Sequence, residues 1–477
     1  MTTVAESGST ADTLAALDDI LARQRAARLA EGMPSAAARR ARIQAVIDLL
    51  VDEYDAIVSA IDADFGGRHR GYSIMNDILG SLGSLKSSRD RLEEWMAPEP
   101  RQAYAPYDQY GATAEIRYTP KGTVGILGTW NAPVFTLLSP LASALAAGNR
   151  AVLKPSEVVP RTAETVARLF AERIDPLDVA VVTGGPEVAE QFTARPFGHL
   201  VFTGSTPVGR AVMRNAAENL VPVTLELGGK SPTLVSRSAD LAAAAGKVAG
   251  AKSSNGGQLC VSPDLVYVPR ESVDAFVTAL TGAYAQLVPT VQDNPGAISI
   301  VDERHARRVA GLVDDARARG ARVETVPDEQ QDGRRTPLHV VVDPPEDAAV
   351  LREELFGPAV VVLGYDAVDG VLAALGERPA PLALYWLGTD DDELQAVLDG
   401  STSGGVTVND LMLHPGLEDA PFGGVGDSGM GHYHGREGFV EFSHARSVFH
   451  APAGAGQPPA ALYPEGFEQM MASMITR

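Results

Sequence analysis

The sequence predicts an α/β protein whose first half is a doubly wound parallel sheet, and three observations carry the prediction. From about Ala114, short β-rich segments (AEIRY, TVGILGT, RAVLK, DVAVV, HLVFTG) alternate with helical patterns around 134–147, 161–172, 186–194 and 206–219. Strands separated by helices are the pattern of a parallel sheet covered on both faces. After Val221 the pattern restarts with VTLELGG and TLVS, an alanine-rich run over 239–251 and further strand and helix candidates to about 412, which reads as a second α/β unit. With 477 residues the chain exceeds what one hydrophobic core organises, so two or three domains are expected.

Ahead of the alternating region the chain reads as helix. Leu14, Leu17 and Leu21 mark a short helix, and Ile43, Val46, Ile47, Leu50, Val51, Tyr54, Ile57, Val58 and Ile61 recur at the three- and four-residue spacing of an amphipathic one. The uncharged run from Gly122 to Asn149 is long enough to cross a membrane. It contains Asn131, Pro133, Ser139, Pro140 and several glycines, whose broken backbone would go unsatisfied in lipid, so strand, loop and buried helix fit better. Segment 321–348 is charged and contains proline, as a surface excursion would, and 451–460 is too rich in Pro and Gly for a packed element. No internal repeat is seen.

Composition narrows the function classes. Hydrophobic residues at 45% and charged residues at 21% match a soluble globular protein, which excludes wholesale disorder, collagen and coiled coil. The 40 Lys and Arg against 61 Asp and Glu leave a net charge of −21, which repels phosphate backbones and anionic lipid, so neither nucleic acid nor membrane is an expected partner. One cysteine forms no intramolecular disulfide, and MTTVAESGSTAD lacks the basic and apolar regions of a signal peptide; the expected location is the cytoplasm.

Several short motifs bear chemistry. The one literal G-x-G-x-x-G, Gly424 to Gly429, lacks the strand before and helix after that a dinucleotide fingerprint needs, and reads as a turn-rich loop. His199 to Thr203 followed by Gly204-Ser205-Thr206-Pro207-Val208-Gly209 is the better nucleotide candidate, since a helix N-terminus there offers free N–H groups to a pyrophosphate; an ordinary βα turn is the competing reading. Lys154 and Glu157, in KPSE, stand where open parallel sheets place ligands, although a solvated loop would look the same. Asn131 sits beyond the strand TVGILGT, either donating to a developing oxyanion or capping a turn. Glu226, in LELGGK, is either a general base raised by burial or half of an ion pair, with Lys230 the nearest candidate in sequence. Cys260 follows a polar, glycine-rich flank, which suits a nucleophile that a substrate must approach closely. His432 and His434 lack the neighbours of a metal site and read as structural.

Together, TWNAP, KPSE, FTGSTPVG, LELGGK, NGGQLC, EELFGP and PFGGVGDSGMG resemble, in order and spacing, the aldehyde dehydrogenase superfamily over about 118–449. The closing stretch NDLMLHPGLEDAPFGGVGDSGMGHYHGREGF is most similar to coniferyl aldehyde dehydrogenases and the related class 3 enzymes. The resemblance implies the aldehyde dehydrogenase fold: a Rossmann-like NAD-binding domain (1–104 and 120–226), an α/β catalytic domain (227–425) and a small β oligomerisation arm with the C-terminal tail (105–119 and 426–477). It implies Cys260 as nucleophile, Glu226 as base and Asn131 as oxyanion donor. Lys154 and Glu157 would hold the adenosine ribose, Gly204, Ser205 and Gly209 the pyrophosphate region, and Glu354 and Phe356 the nicotinamide end, with Trp130 a further cofactor-binding residue. It implies NAD as cofactor with NADP left open, no metal, an aldehyde substrate and a homodimer, with tetramer as the alternative. Coniferyl or another aromatic aldehyde is the expected substrate. The alternatives are medium-chain aliphatic aldehydes, or a cysteine-dependent esterase or acyl transferase without redox chemistry. Thr129, Ala132 and Leu259 depart from the commonest family pattern, which bears on the shape of the substrate site.

Overall fold

The computed structural model of the chain describes residues 9–105, 107–331, 333–452 and 465–475. Two long helices lead. Helix α1 (Thr10–Glu31) opens on a capping box, with the Ser9 side chain accepting from the Asp12 N–H and Asp12 accepting from the Ser9 N–H. Helix α2 (Ala36–Phe65) is capped by Ser35 and stopped by Gly66, which turns left-handed at φ 63°. It buries Ile43, Val46, Ile47, Leu50, Ile57, Val58 and Ile61 as expected, but Val51 and Tyr54 are 52% and 41% exposed. Each residue turns the helix by about 100°, so these two leave the buried stripe even though spacing alone admits them.

The strands form three sheets. They are β1 (Glu99–Arg101), β2 (Thr113–Pro120), β3 (Thr123–Leu127), β4 (Arg150–Lys154), β5 (Val179–Val181), β6 (His199–Thr203), β7 (Val223–Glu226) and β8 (Pro232–Val235). Then come β9 (Leu265–Pro269), β10 (Arg322–Val326), β11 (Leu338–Val342), β12 (Ala359–Tyr365), β13 (Ala383–Leu387), β14 (Gly405–Val408), β15 (Gly429–Met430) and β16 (Ser443–His450). The first sheet has the order β15-β7-β6-β3-β4-β5, parallel except for β15. The chain winds from β3 through β4 to β5 on one side and returns to lay β6 and β7 on the other. This puts a topological switch point between β3 and β6, where such sheets open a ligand crevice at their carboxyl ends. The second sheet, β10-β11-β12-β9-β8-β13-β14, is parallel except for β10, and β1-β2-β16 is a small antiparallel sheet.

Four expectations need correction. The strand after Val221, β7, pairs with β6 in the first sheet, so the second unit begins one strand later, at β8. The small sheet starts at Glu99, ahead of the expected 105, and β15 joins the first sheet instead of the arm. The segment 321–348 is no surface excursion: β10 and β11 pair there, and Leu338, Val340 and Val341 are fully buried. Charged Arg322 and Glu324 on the edge strand hid that signal, as charges on edge strands do. As expected, the run 122–149 resolves into β3 and a helix at Phe135–Ala146, with β4 starting directly after it, and no helix among the described residues is long and apolar enough to cross a membrane. Most of 451–460 lies outside the described residues.

Leu338→Ala tests the burial of β11. A buried leucine truncated to alanine costs about 2–5 kcal/mol, against roughly 0.5 kcal/mol or less on a surface loop. A clear fall in the urea midpoint is expected, and an unchanged midpoint would return the segment to the surface.

Candidate active site

The carboxyl ends of β3, β4, β6 and β7 face a single long cavity, whose opposite wall comes from the second sheet and its loops. Trp130, Asn131, Lys154, Glu157, Gly204, Ser205, Glu226, Cys260, Glu354 and Phe356 all line it. Gly209 does not: it lies one helical turn beneath, where a Cβ would meet Leu227, so its role is to let helix and strand pack closely.

Cys260 closes a loop held in an unusual shape. Asn255, Gly256 and Gly257 are left-handed in succession (φ 49°, 59° and 73°), and a side chain at Gly257 would run into the Gly357 carbonyl and the Lys252 ammonium. The Gln258 side chain fastens the loop by donating to the carbonyls of Asn255 (2.8 Å) and Ser299 (3.1 Å) and accepting from the Val301 N–H (3.0 Å). Fully buried Lys252 donates to the Ser262 hydroxyl and the Pro263 carbonyl, each at 3.2 Å, just beyond the cysteine. The half-buried Cys260 thiol is pushed up to about 12, by burial first and then by the negative charges of Glu226 and Glu354. Its own backbone N–H and that of Val261 pull the other way.

Asn131 reaches this loop from the first sheet. Its Nδ2 donates to the Gln258 carbonyl at 3.0 Å, two residues before Cys260, and the Asn131 carbonyl accepts from Asn255 Nδ2 at 3.1 Å. An unforeseen carboxylate holds the turn that carries it. Asp77 Oδ1 accepts from the Val134 and Phe135 N–H groups (3.1 and 3.4 Å), capping the Phe135–Ala146 helix from outside. Asp77 is itself paired with Arg68 at 2.8 Å, both side chains fully buried, and the guanidinium packs over the Phe65 and Tyr72 rings.

Glu226, the last residue of β7, is 3% exposed, and neither carboxylate oxygen has a hydrogen-bond partner. Burial holds its pKa well above the usual carboxylate range. The ion pair with Lys230 is not formed, because Lys230 pairs with Asp264 and donates to the Glu353 carbonyl. A buried carboxylate without partners costs stability, which makes Glu226 a candidate for a chemical role.

At the other end of the cavity, Lys154 Nζ meets Glu157 at 2.8 Å. Ser205 begins the Thr206–Ala217 helix without capping it, leaving N-terminal N–H groups to a ligand. The Gly424–Gly429 segment is a loop with one 3-10 turn and the start of β15. It docks on this helix: Thr206 Oγ1 donates to the Asp427 carbonyl (3.0 Å) and Arg210 pairs with the Asp427 side chain (2.6 Å). The Glu354 carboxylate fills the space a Cβ at Gly228 would need and accepts from the Gly229 N–H; burial raises it to about 8. Phe356 packs edge-on to Trp130 (5.3 Å between centroids), which also meets His305 (4.7 Å). His434 is structural, as expected: its Nε2 bonds the Ser139 hydroxyl (2.6 Å), and burial lowers its pKa to about 4. Among the described residues, no group of three or more His, Cys, Asp or Glu is placed to hold a metal ion.

This layout, the carboxyl edge of a parallel sheet facing a half-buried thiol and an orphaned carboxylate across one crevice, is that of a two-sheet α/β enzyme whose ligands enter at the switch point. Comparison with known proteins agrees. The aldehyde dehydrogenase family model matches residues 6–448. The chain is 46% identical to a probable coniferyl aldehyde dehydrogenase of Caulobacter vibrioides over 475 residues, covering 97% of each chain. It is 43% identical to a coniferyl aldehyde dehydrogenase of Pseudomonas sp. over 437 residues, covering 91% of this chain and 90% of the relative. Among solved structures, the substrate-bound AldH of Staphylococcus aureus aligns with a TM-score of 0.89 at 29% identity, over 96% of this chain and 99% of that one. The Mycobacterium tuberculosis aldehyde dehydrogenase complexed with NAD+ aligns at 0.83 and 30%, over 95% and 92%. The chain belongs to the aldehyde dehydrogenase family and is an aldehyde-oxidising enzyme that uses a nicotinamide cofactor, NAD or NADP.

A raised thiol pKa means less thiolate at any given pH, and with a single cysteine the readout is unambiguous. In the cofactor-free protein, iodoacetamide alkylation of Cys260 should climb about tenfold per pH unit from pH 7 to 9.5, since a thiol titrating near 12 is far from saturated there. A rate that bends over and levels off by pH 9.5, as for an ordinary thiol half-ionised near pH 8.5, would contradict the environment described.

Proposed function

We propose that the enzyme oxidises an aromatic aldehyde of the coniferyl aldehyde type to its carboxylic acid with NAD, through a thioester on Cys260. The observation that carries this reading is the unpartnered Glu226 carboxylate, sharing one cavity with Cys260 and Asn131. The first sheet is then the cofactor half and the second sheet the catalytic half.

The Cys260 thiol gives its proton to solvent water, its sulfur adds to the aldehyde carbon, and the carbonyl π electrons move to oxygen. Asn131 is positioned to meet that oxyanion: Nδ2 has two hydrogens, the Gln258 carbonyl takes one, and the other is available to the cavity alongside the Cys260 backbone N–H. A nicotinamide held at the Trp130, Glu354 and Phe356 end of the cavity would supply the acceptor for the hydride lost from the aldehyde carbon. The carbonyl re-forms as a thioester. Glu226 takes a proton from a water whose oxygen attacks the acyl carbon; the C–S bond breaks, the acid leaves and the thiolate is restored. A carboxylate with raised basicity, free of competing donors, is suited to that proton transfer.

The cavity fits the cofactor on its own features. Gly204 and Gly228 lack side chains where a Cβ would close against Phe202 and Glu354, and the Lys154–Glu157 pair stands at the edge of β4. Glu157 favours NAD, since a carboxylate accepts from a ribose 2′-hydroxyl and repels a 2′-phosphate. Cys260 works only as a free thiol, which a reducing cytoplasm preserves. The exposed rings of Tyr104, Tyr107 and Phe449, 5.4–5.9 Å apart beside the β1-β2-β16 sheet, support that sheet as the arm of a homodimer. An esterase without redox chemistry would leave the whole nucleotide edge without a purpose.

Wild-type enzyme with NAD and coniferyl aldehyde should produce NADH. Asn131→Ala should lower kcat on the order of 10²–10³-fold, the usual cost of one oxyanion donor, while the Kd for NAD stays as in wild type. Near-wild-type turnover in that variant would remove Asn131 from the role.

A further inference from the structure

We propose that Glu418 is the hydrogen-bond acceptor that selects aldehydes bearing a hydroxyl on the aromatic ring, an inference that rests on the aromatic-aldehyde reading above and deepens it.

Glu418 lies at the far end of an aromatic wall that starts at the thiol. Tyr72 and Tyr433 line the same cavity as Cys260; burial raises both hydroxyls, and the charge of Cys260 is the least of the causes that raise each. Tyr433 packs against Phe422 (5.7 Å between centroids), Phe422 stacks on His434 (5.9 Å) and Phe135 meets His434 edge-on (6.1 Å). The Phe135 ring rests where a Cβ at Gly80 would touch it at 3.0 Å. Gly80 begins the Gly80–Asp90 helix, and one turn further along Ser84 Oγ donates to Glu418 Oε1 at 3.4 Å. Tyr72, Phe135, Glu418, Phe422 and Tyr433 all face the cavity that holds Cys260.

That helix opens GSLGSLKSS: Leu82 and Leu85 join the hydrophobic core, while Gly80 and Gly83 lower its helix propensity. The geometry supplies the reason. A Cβ at Gly83 would stand 2.6 Å from Glu418 Oε1, so the small residues make room for the carboxyl group. The carboxylate is half-buried, with the Ser84 hydroxyl as its side-chain partner, and burial lifts it to about 7. Among the described residues no cation pairs with it: the nearby Arg91 is taken by Asp419. An under-satisfied acceptor closing an apolar slot is the complement of a phenolic O–H. An analogue lacking the hydroxyl leaves that acceptor unpaired and is discriminated against for that reason.

The test compares kcat/KM with NAD for coniferyl aldehyde, for cinnamaldehyde, which lacks the hydroxyl, and for 3,4-dimethoxycinnamaldehyde, in which a methyl group caps it. Wild type should prefer coniferyl aldehyde at least tenfold over both, chiefly through KM. Glu418→Leu should shrink that preference at least tenfold, and Glu418→Gln, whose amide oxygen still accepts, should keep most of it. Equal rates for the three aldehydes in wild type, or an undiminished preference in Glu418→Leu, or equal losses on all three, would overturn the assignment while leaving the aromatic reading in place. Wild type that oxidises hexanal but none of the three aromatic aldehydes would overturn both.

Discussion

The hydrogen bond from Asn131 Nδ2 to the Gln258 carbonyl joins a turn leaving the first sheet to the loop that delivers Cys260 from the second. Its net worth is only about 0.5–1.5 kcal/mol, but its geometric consequence is larger. It sets a side-chain amide two residues from the thiol and orients it before any substrate arrives. A donor that is already aimed needs no reorganisation when charge develops, and this is where a preorganised site gains over water. The rest of the molecule supports the two ends of that bond. On one side the buried Arg68–Asp77 pair holds the start of the Phe135–Ala146 helix. On the other, Gln258 and Lys252 hold the loop before and after the cysteine.

These supports run against what folding alone would favour. Asn255 and Phe356 take left-handed backbone conformations, each costing ~1 kcal/mol for a residue with a side chain, and Glu226 is buried with nothing to bond. Left-handed non-glycine residues occur elsewhere too, at Leu220, Asp293, Asp343 and Asn409, but Asn255 shapes the loop that ends at Cys260, and Phe356 lines the cavity with Glu226. Strain and an orphaned carboxylate persist where surrounding structure over-determines them.

Legibility in the sequence followed locality. Cys260, Glu226, Asn131, Lys154 and Glu157 stand at strand ends or after glycine turns, so each announces itself within a few residues. The parallel winding of the first sheet was legible for the same reason, since period and punctuation are local signals. Asp77 was not: the N–H groups it caps lie more than fifty residues away, and nothing in IMNDIL says so. Glu418 looks like one more charged loop residue until the Gly80–Asp90 helix is laid against it. The pairing of β10 with β11 was masked by surface charge, and the alternation alone put β7 in the second unit because it counts strands without saying which neighbours they join, whereas the family resemblance drew the boundary after it, at 226.

The central claim, that an acyl group is carried on Cys260 and released by Glu226, is tested most directly by trapping it. Glu226→Gln protein mixed with NAD and coniferyl aldehyde, quenched in acid and weighed intact, should carry one feruloyl group per chain, and peptide mapping should place it on Cys260. A protein that forms NADH without any adduct, or with the adduct on another residue, would contradict the account.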